Sequence, residues 1–125
     1  MANPNIVNVT TIYGNTSSTS LTTTSATSLV SNAAASGKVF KINSIVVANI
    51  DGTTAADITI NVYSAAALGG TAYPIASTIS VPADATLIVT DKTTSFYLLE
   101  NQSIGATAGT ASDLVVTASW EEINS

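Results

Sequence analysis

The sequence predicts an all-β protein, a single antiparallel β-sandwich of the jelly-roll or Ig-like type with an N-terminal extended arm. Apolar residues alternate with polar ones along several short segments, which is the period of a strand with one buried face. Gly, Pro and Asp residues separate these segments at intervals of about 8–12 residues, as in sandwiches and barrels. No capped stretch shows the 3.6-residue period of a helix.

The composition fits one domain with a core built from small apolar residues. The chain has 125 residues, of which 46% are hydrophobic and 6% aromatic. Charged residues make up 9%, against about 25% in ordinary domains, whereas 16 Ser and 20 Thr together supply 36 residues. We therefore expect a polar, nearly uncharged surface. It suits either dense side-by-side display of identical copies or simply a Thr-rich β protein.

The first strand-like segment runs from Asn5 to Tyr13 and lies outside the main series of strands. We interpret it as an arm that either completes its own sheet or adds to the sheet of a neighbour. Its candidate contact residues are Ile6, Val7, Val9, Ile12 and Tyr13.

A Ser/Thr-rich stretch follows, and we divide it into a loop and a strand. Residues 14–20 are predicted to be a linking loop. Residues 21–31 are predicted to be a strand near a sheet edge, because Thr fits a pleated surface and a Leu-Val pair lies near the end. The predicted organisation is thus an arm with its linking loop over residues 1–20 and a sandwich domain over residues 21–125.

The clearest strands are Lys38 to Ile50 and Asp57 to Tyr63, and the Asp51-Gly52 turn between them predicts a hairpin. Residues 65–74 are predicted to be a loop, because they contain two adjacent glycines and a proline. Further strands are predicted at residues 75–81, 86–90, 95–100, 103–108 and 113–123.

The absence of His and Cys removes most catalytic and metal-binding constellations. Histidine bases, Ser-His-Asp and Cys-His nucleophiles and nearly all zinc geometries need one or both residue types. We expect no enzyme, no catalytic residue and no cofactor. Asp51, Asp57 and Asp84 would bind calcium only if their loops converged, and we interpret them instead as turn residues.

The charge balance argues against nucleic-acid and membrane partners. The formal net charge is −5, with three Lys and Arg absent, so no basic stripe can form to neutralise phosphates or bind anionic lipid. The first ten residues do not read as a secretory signal, and no apolar run approaches the ~18 residues that a spanning helix needs. We expect synthesis and folding in the cytosol.

The aromatic residues fall into two groups. Trp120 lies on the apolar side of the last predicted strand and is expected in the core. Tyr63 falls on the polar side of its strand and Tyr73 begins the next one, so these two residues are candidates for an exposed patch that binds a sugar or another subunit.

Several segments, in order, resemble a family of small β-sandwich virion proteins of tailed phages, especially marine cyanophages. The matching features include the Gly37-Lys38 turn, Asn49, Ala55-Ala56, residues 82–87 and Glu122-Ile123. Residues 100–103 read "ENQS", where the family usually has Gly-Asp in this turn. The segments that carry the resemblance are "NIVNVTTIYG", "SGKVFKINSIVVAN", "GTTAADITINVY", "ISVPADATLIV", "YLLENQSI" and "SWEEI".

The resemblance implies a non-enzymatic structural component of the virion. The commonest role for such a protein is a head decoration, or cement, protein that binds the outer capsid shell and bridges coat subunits, often as a trimer. Its partners would be the major capsid protein or other virion subunits, and its location the capsid surface after synthesis in the host cytoplasm. A tail, neck or fibre-base component and a carbohydrate-binding adhesion module using Tyr63 and Tyr73 remain as alternatives.

Overall fold

The computed structural model describes residues 5–124, which form two antiparallel sheets packed against each other. This confirms the predicted all-β antiparallel sandwich. A short 3₁₀ turn, Lys92–Thr94, follows the sixth strand. The strands are β1 (Thr11–Leu21), β2 (Thr27–Asn32), β3 (Lys38–Asn49), β4 (Ala56–Ala65), β5 (Gly69–Val81), β6 (Thr86–Thr90), β7 (Phe96–Leu98), β8 (Gln102–Ala108) and β9 (Leu114–Asn124).

The two sheets have simple strand orders. Sheet A has the order β1-β9-β3-β6, and β7 also pairs with β3. The strands β6 and β7 pair with different parts of β3, at Ile45–Ala48 and Phe40–Ile42 respectively. Sheet B has the order β2-β8-β4-β5. The edge strands are therefore β1, β6 and β7 in sheet A, and β2 and β5 in sheet B.

The core lies between the sheets and consists mainly of aliphatic side chains from both sheets. In β3 the register shift between Ile42 and Ser44 changes the inward face, so Ile45 and Val47 are buried whereas Val46 and Ala48 lie on the outer face. Trp120 is partly buried against this core, and its ring centroid lies 6.3 Å from that of Phe40. Close packing of aliphatic side chains supplies the main driving force for such a sandwich. The largest fully buried apolar side chains are Leu21, Ile42, Ile45, Ile58, Ile60, Leu98, Ile104, Leu114, Val47, Val81 and Val116.

Two buried asparagines join the sheets through hydrogen bonds. Asn32, the last residue of β2 in sheet B, donates from Nδ2 to the Leu98 carbonyl in sheet A at 3.3 Å and to the Lys38 carbonyl at 2.9 Å. Asn49, the last residue of β3 in sheet A, donates from Nδ2 to the Val81 carbonyl in sheet B at 2.9 Å. The bonds to the Leu98 and Val81 carbonyls are buried, as is usual for polar groups that lie between two sheets.

The Ser/Thr-rich stretch differs from its prediction. Residues 14–20, predicted to be a loop, belong to β1, and the turn lies instead between Leu21 and Thr27. The predicted domain boundary at residue 20 therefore falls inside a strand. The strand lacks a visible alternation because only Leu21 is buried, so the backbone ladder to β9 holds it in the sheet rather than apolar side chains.

The predicted hairpin between Lys38 and Tyr63 is also wrong. The strands β3 and β4 belong to different sheets, and the connection at residues 50–55 crosses between them. Both strands alternate because both face the same core from opposite sides. The hairpin lies one step later, where β4 pairs with β5. Much of the predicted loop at residues 65–74 consequently belongs to β5.

Candidate interaction surfaces

The strands at the edges of both sheets contain no charged residue over the described part of the chain. The charged residues of strands lie instead on β3, β4 and β9, which are central in their sheets. Natural proteins usually place charges on exposed edges to prevent edge-to-edge pairing. In this sandwich the charged residues of strands lie on central strands and the edge strands are uncharged. The uncharged edge sequences are TIYGNTSSTSL, TSLVSN, GGTAYPIASTISV, TLIVT and FYL.

The outward face of sheet A contains an uncharged region that we call the outer patch. The adjoining row of the same face contains the charged Lys41 and Glu121. Directly paired residues in an antiparallel sheet point to the same side, and the register places Ser18, Thr117 and Val46 in one row of this surface. Ile88 continues the row on β6 and is 60% exposed. The outer patch consists of Thr16, Ser18, Ser20, Ser44, Val46, Ala48, Thr86, Ile88, Val115, Thr117 and Ser119.

The predicted arm lies only partly outside the sheets. In residues 5–10, the Asn8 N–H donates to the Asn5 carbonyl and the Thr10 N–H donates to the Asn124 carbonyl. Val7 is 91% exposed, Ile6 is also exposed and Val9 is half-buried. Ile12 and Tyr13 are exposed but belong to β1, which pairs with β9 of the same chain. The part of the arm from Thr11 onwards thus completes its own sheet.

Tyr63 and Tyr73 do not form the predicted exposed patch. Tyr73 is 60% exposed on β5, but Tyr63 is only 9% exposed. The register pairs Tyr73 with Val62, so the two tyrosines lie on opposite faces of sheet B. The sugar-stacking platform expected from the sequence is therefore absent at these positions.

The turn between β4 and β5 covers Tyr63. A Cβ atom added to Gly105 would lie 2.7 Å from Leu68 Cδ2 and 3.0 Å from the Tyr63 ring, so both side chains lie over this glycine. Ser103 fixes the turn, because its Oγ accepts from the Leu68 N–H at 2.9 Å and donates to the Ala65 carbonyl at 2.7 Å. The alternation along β4 correctly predicts that Tyr63 points away from the core. It does not predict that the turn between β4 and β5 covers this residue.

Asp51 and Asp84 lie in connections between strands, as expected, whereas Asp57, also expected to be a turn residue, belongs to β4. Asp51 accepts hydrogen bonds from the side chain of Thr54 and from the backbone and side chain of Thr53, and these lower its pKa to about 2. Asp91 caps the 3₁₀ turn, and the side-chain and backbone hydrogen bonds from Thr93 lower its pKa. Among residues 5–124, no three His, Cys, Asp or Glu residues come together in a group that could hold a metal ion.

The surface of residues 5–124 contains no pocket. None of the helical structure in this part of the chain has the length and apolar character needed to cross a membrane.

No protein-family model and no curated protein matches the chain. A solved structure that is similar comes from work described as "Bacillus endospore appendages form a novel family of disulfide-linked pili". It is 18% identical, with a TM-score of 0.49, and the match covers 92% of this chain and 90% of that chain. The present chain contains no cysteine.

Proposed function

We propose that this protein is a non-enzymatic structural subunit of a phage virion, namely a head decoration protein that binds the outer capsid shell and bridges coat subunits. The assignment to a phage virion is supported by the segments that resemble small β-sandwich virion proteins of tailed phages. The observation that supports a binding role most directly is the outer patch. It extends over β1, β9, β3 and β6 and is uncharged, and therefore suits a protein surface better than a small molecule.

The position of the charges supports the outer patch as the docking surface. The negatively charged residues lie outside it, at the ends of strands, in turns and on the Glu121–Glu122 end of β9. Since identical copies with a net charge of −5 repel one another, an uncharged face is the surface on which many copies can approach a shell most closely. Weak contacts of this kind become firm attachment when each subunit makes several of them.

The outer patch also contains the apolar contacts that a docking surface needs. Ile88 is 60% exposed, and Val46 and Val115 are half-buried beside the hydroxyl groups of Ser18 and Thr117. Burial of apolar side chains contributes roughly 25 cal/mol per Å², whereas the hydroxyl groups keep the free protein hydrated. The outer patch therefore combines affinity in the bound state with solubility in the free state.

The test uses purified phage heads that lack this chain. We expect wild-type protein to bind them and to be present in native particles in proportion to the major capsid protein. The variant Ile88→Glu introduces a charge into the outer patch and should weaken binding at least about tenfold, because a buried unpaired carboxylate is strongly unfavourable.

The matched control is Ile75→Glu, which makes the same change at an exposed position of β5 in sheet B. Equal binding of the two variants would exclude the outer patch as the docking surface. A copy number of only a few chains per particle would instead indicate a tail, neck or fibre-base component. Failure of the wild-type protein to bind any virion part would exclude the proposed function.

A further inference from the structure

We propose that β1 is a homophilic edge, at which the β1 strand of a second copy pairs in antiparallel orientation and joins two copies of sheet A into one continuous sheet. The edge strands differ in length. The strands β1 and β5 have 11 and 13 residues, whereas β2, β6 and β7 have 6, 5 and 3. Only the two long edges offer an extended row of backbone N–H and C=O groups.

The β5 edge contains several features that prevent regular pairing. Pro74 has no N–H to donate. The register with β4 shifts between Ile58 and Ile60 and again between Ile60 and Asn61. Thr78 has a positive φ of 49° within the strand. Proline and bulges are devices by which natural proteins protect exposed edges, so β5 is a protected edge despite its exposed apolar side chains.

The β1 edge lacks all of these devices. Its register with β9 is continuous from Thr11 opposite Asn124 to Leu21 opposite Leu114, without a shift. The strand contains neither proline nor a charged residue. Since Leu21 is its only buried residue, β1 is held mainly by hydrogen bonds on one side. A second strand would satisfy the other side.

The unpaired backbone N–H and C=O groups of an edge strand can be satisfied by the backbone of another strand. An identical strand suits β1 particularly well. Across the twofold axis of such a pair, residues near the axis face their own copies. A charge there would face an identical charge, but the centre of β1 contains only Asn15, Thr16, Ser17 and Ser18. Ser18 Oγ already lies 3.0 Å from Thr117 Oγ1 of β9, and cross-strand hydroxyl pairs of this kind stabilise antiparallel sheets.

The pairing has a geometric consequence for the outer patch. Residues directly opposite each other in an antiparallel pair point to the same side of the sheet, so both copies of the outer patch would face the same way. The result is a surface of twice the width that can bind one shell through two sites. This consequence, unlike the pairing itself, rests on the proposed function.

Cysteine cross-linking tests the pairing directly, since the wild-type chain has no cysteine. Single variants with cysteine at Asn15, Thr16, Ser17 or Ser18 cover the central positions and so allow for different registers of the pair. We expect at least one of them to form a disulfide-linked dimer under mild oxidation. Ile75→Cys on β5 is the control and should remain monomeric. A dimer of the control variant, with none from the four β1 variants, would overturn the inference.

A charge variant supplies a second test that needs no oxidation. Thr16 is exposed, and Thr16→Lys places like charges near each other across the proposed axis. We expect at least a tenfold weaker self-association in sedimentation equilibrium. Thr71→Lys at an exposed position of β5 is the matched control and should associate like the wild type. Equal association of both variants with the wild type, or a wild type that stays monomeric at high concentration, would contradict the pairing.

These outcomes separate the pairing from the proposed function. Cross-linking through β1 without binding to phage heads would support the pairing and exclude the decoration role. Binding of a wild-type monomer to phage heads would support the decoration role and exclude the pairing. If the protein forms a trimer, as the resemblance implies, other surfaces would hold the trimer together. Pairing through β1 would then join one trimer to another.

Discussion

Asn32 and Asn49 lie at opposite ends of the sandwich, and each directs its side-chain amide to a backbone carbonyl of the opposite sheet. Asn32 reaches Leu98 in sheet A from sheet B, and Asn49 reaches Val81 in sheet B from sheet A. Both side chains are buried. The two sheets are thus joined by specific polar contacts at both ends and by nonspecific apolar packing between them.

Replacing Asn49 should destabilise the fold more than its size suggests. Asn49→Ala leaves the carbonyls of Val81 and Thr54 without their donor, and the loss should lower the free energy of unfolding by about 2–4 kcal/mol. Urea denaturation would measure the change. Asn8→Ala, at an exposed position, is the control and should change the free energy by less than about 0.5 kcal/mol. A similar small change for Asn49→Ala would show that water replaces the amide.

Truncation of a core isoleucine tests the position of the hydrophobic core. Ile45 is fully buried, whereas Ile88 is 60% exposed on the neighbouring strand of the same sheet. We expect Ile45→Ala to lower the free energy of unfolding by about 2–5 kcal/mol, because it leaves a cavity. Ile88→Ala should lower it by about 0.5 kcal/mol or less. Equal effects in thermal or urea unfolding would be incompatible with the observed core.

Gly105 tests the cover that the turn between β4 and β5 places over sheet B. Gly105→Ala puts a methyl group against Leu68 and Tyr63 and should destabilise the protein by about 1–3 kcal/mol. Leu68→Ala shortens the side chain that lies over Gly105. In that background Gly105→Ala should lower the free energy of unfolding by less than it does in the wild type. A double-mutant cycle measures this coupling. Strict additivity would mean that Leu68 does not oppose the new methyl group.

The hydrogen bonds to Asp51 predict a particular pH dependence. Because its pKa falls from 3.8 to about 2 in the folded chain, the ionised carboxylate stabilises the fold above pH 3.8, and this contribution is lost as the pH falls through about 2. Asp51→Asn should therefore be less stable than the wild type at neutral pH, and the difference should shrink over that interval. Thermal unfolding at several pH values would show it, with Asp57→Asn as the control for removing one negative charge. A difference that stays constant with pH would be inconsistent with the lowered pKa.

The sequence was informative for β4, β6 and β9, where one face of the strand is buried and the alternation is regular. The alternation of Ile58, Ile60 and Val62 located β4, and Thr86 to Thr90 was predicted with the bounds that β6 has in the structure. Trp120 was correctly expected to pack against the core. In each case the side chains alone specify which face is turned inward.

The errors arose where side chains do not specify the backbone partner. The sequence of β1 shows no periodicity because its neighbour β9 supplies the hydrogen bonds and only Leu21 is buried. The sheet assignment of β3 and β4 could not be read from alternation, which is the same for a hairpin and for two strands facing each other across a core. Tyr63 was expected at the surface because the sequence of its own strand does not indicate that the turn between β4 and β5 covers it.

The lack of charge on the outer patch and on the β1 edge has a consequence for how the proposed contacts respond to their surroundings. Ion pairs loosen when salt screens them or when acid protonates one partner. Contacts made by backbone amides, hydroxyls and aliphatic groups contain nothing to screen or protonate. Attachment through these surfaces should not weaken in brine or in mild acid, and should yield chiefly to agents that compete for hydrogen bonds and apolar surface, such as urea.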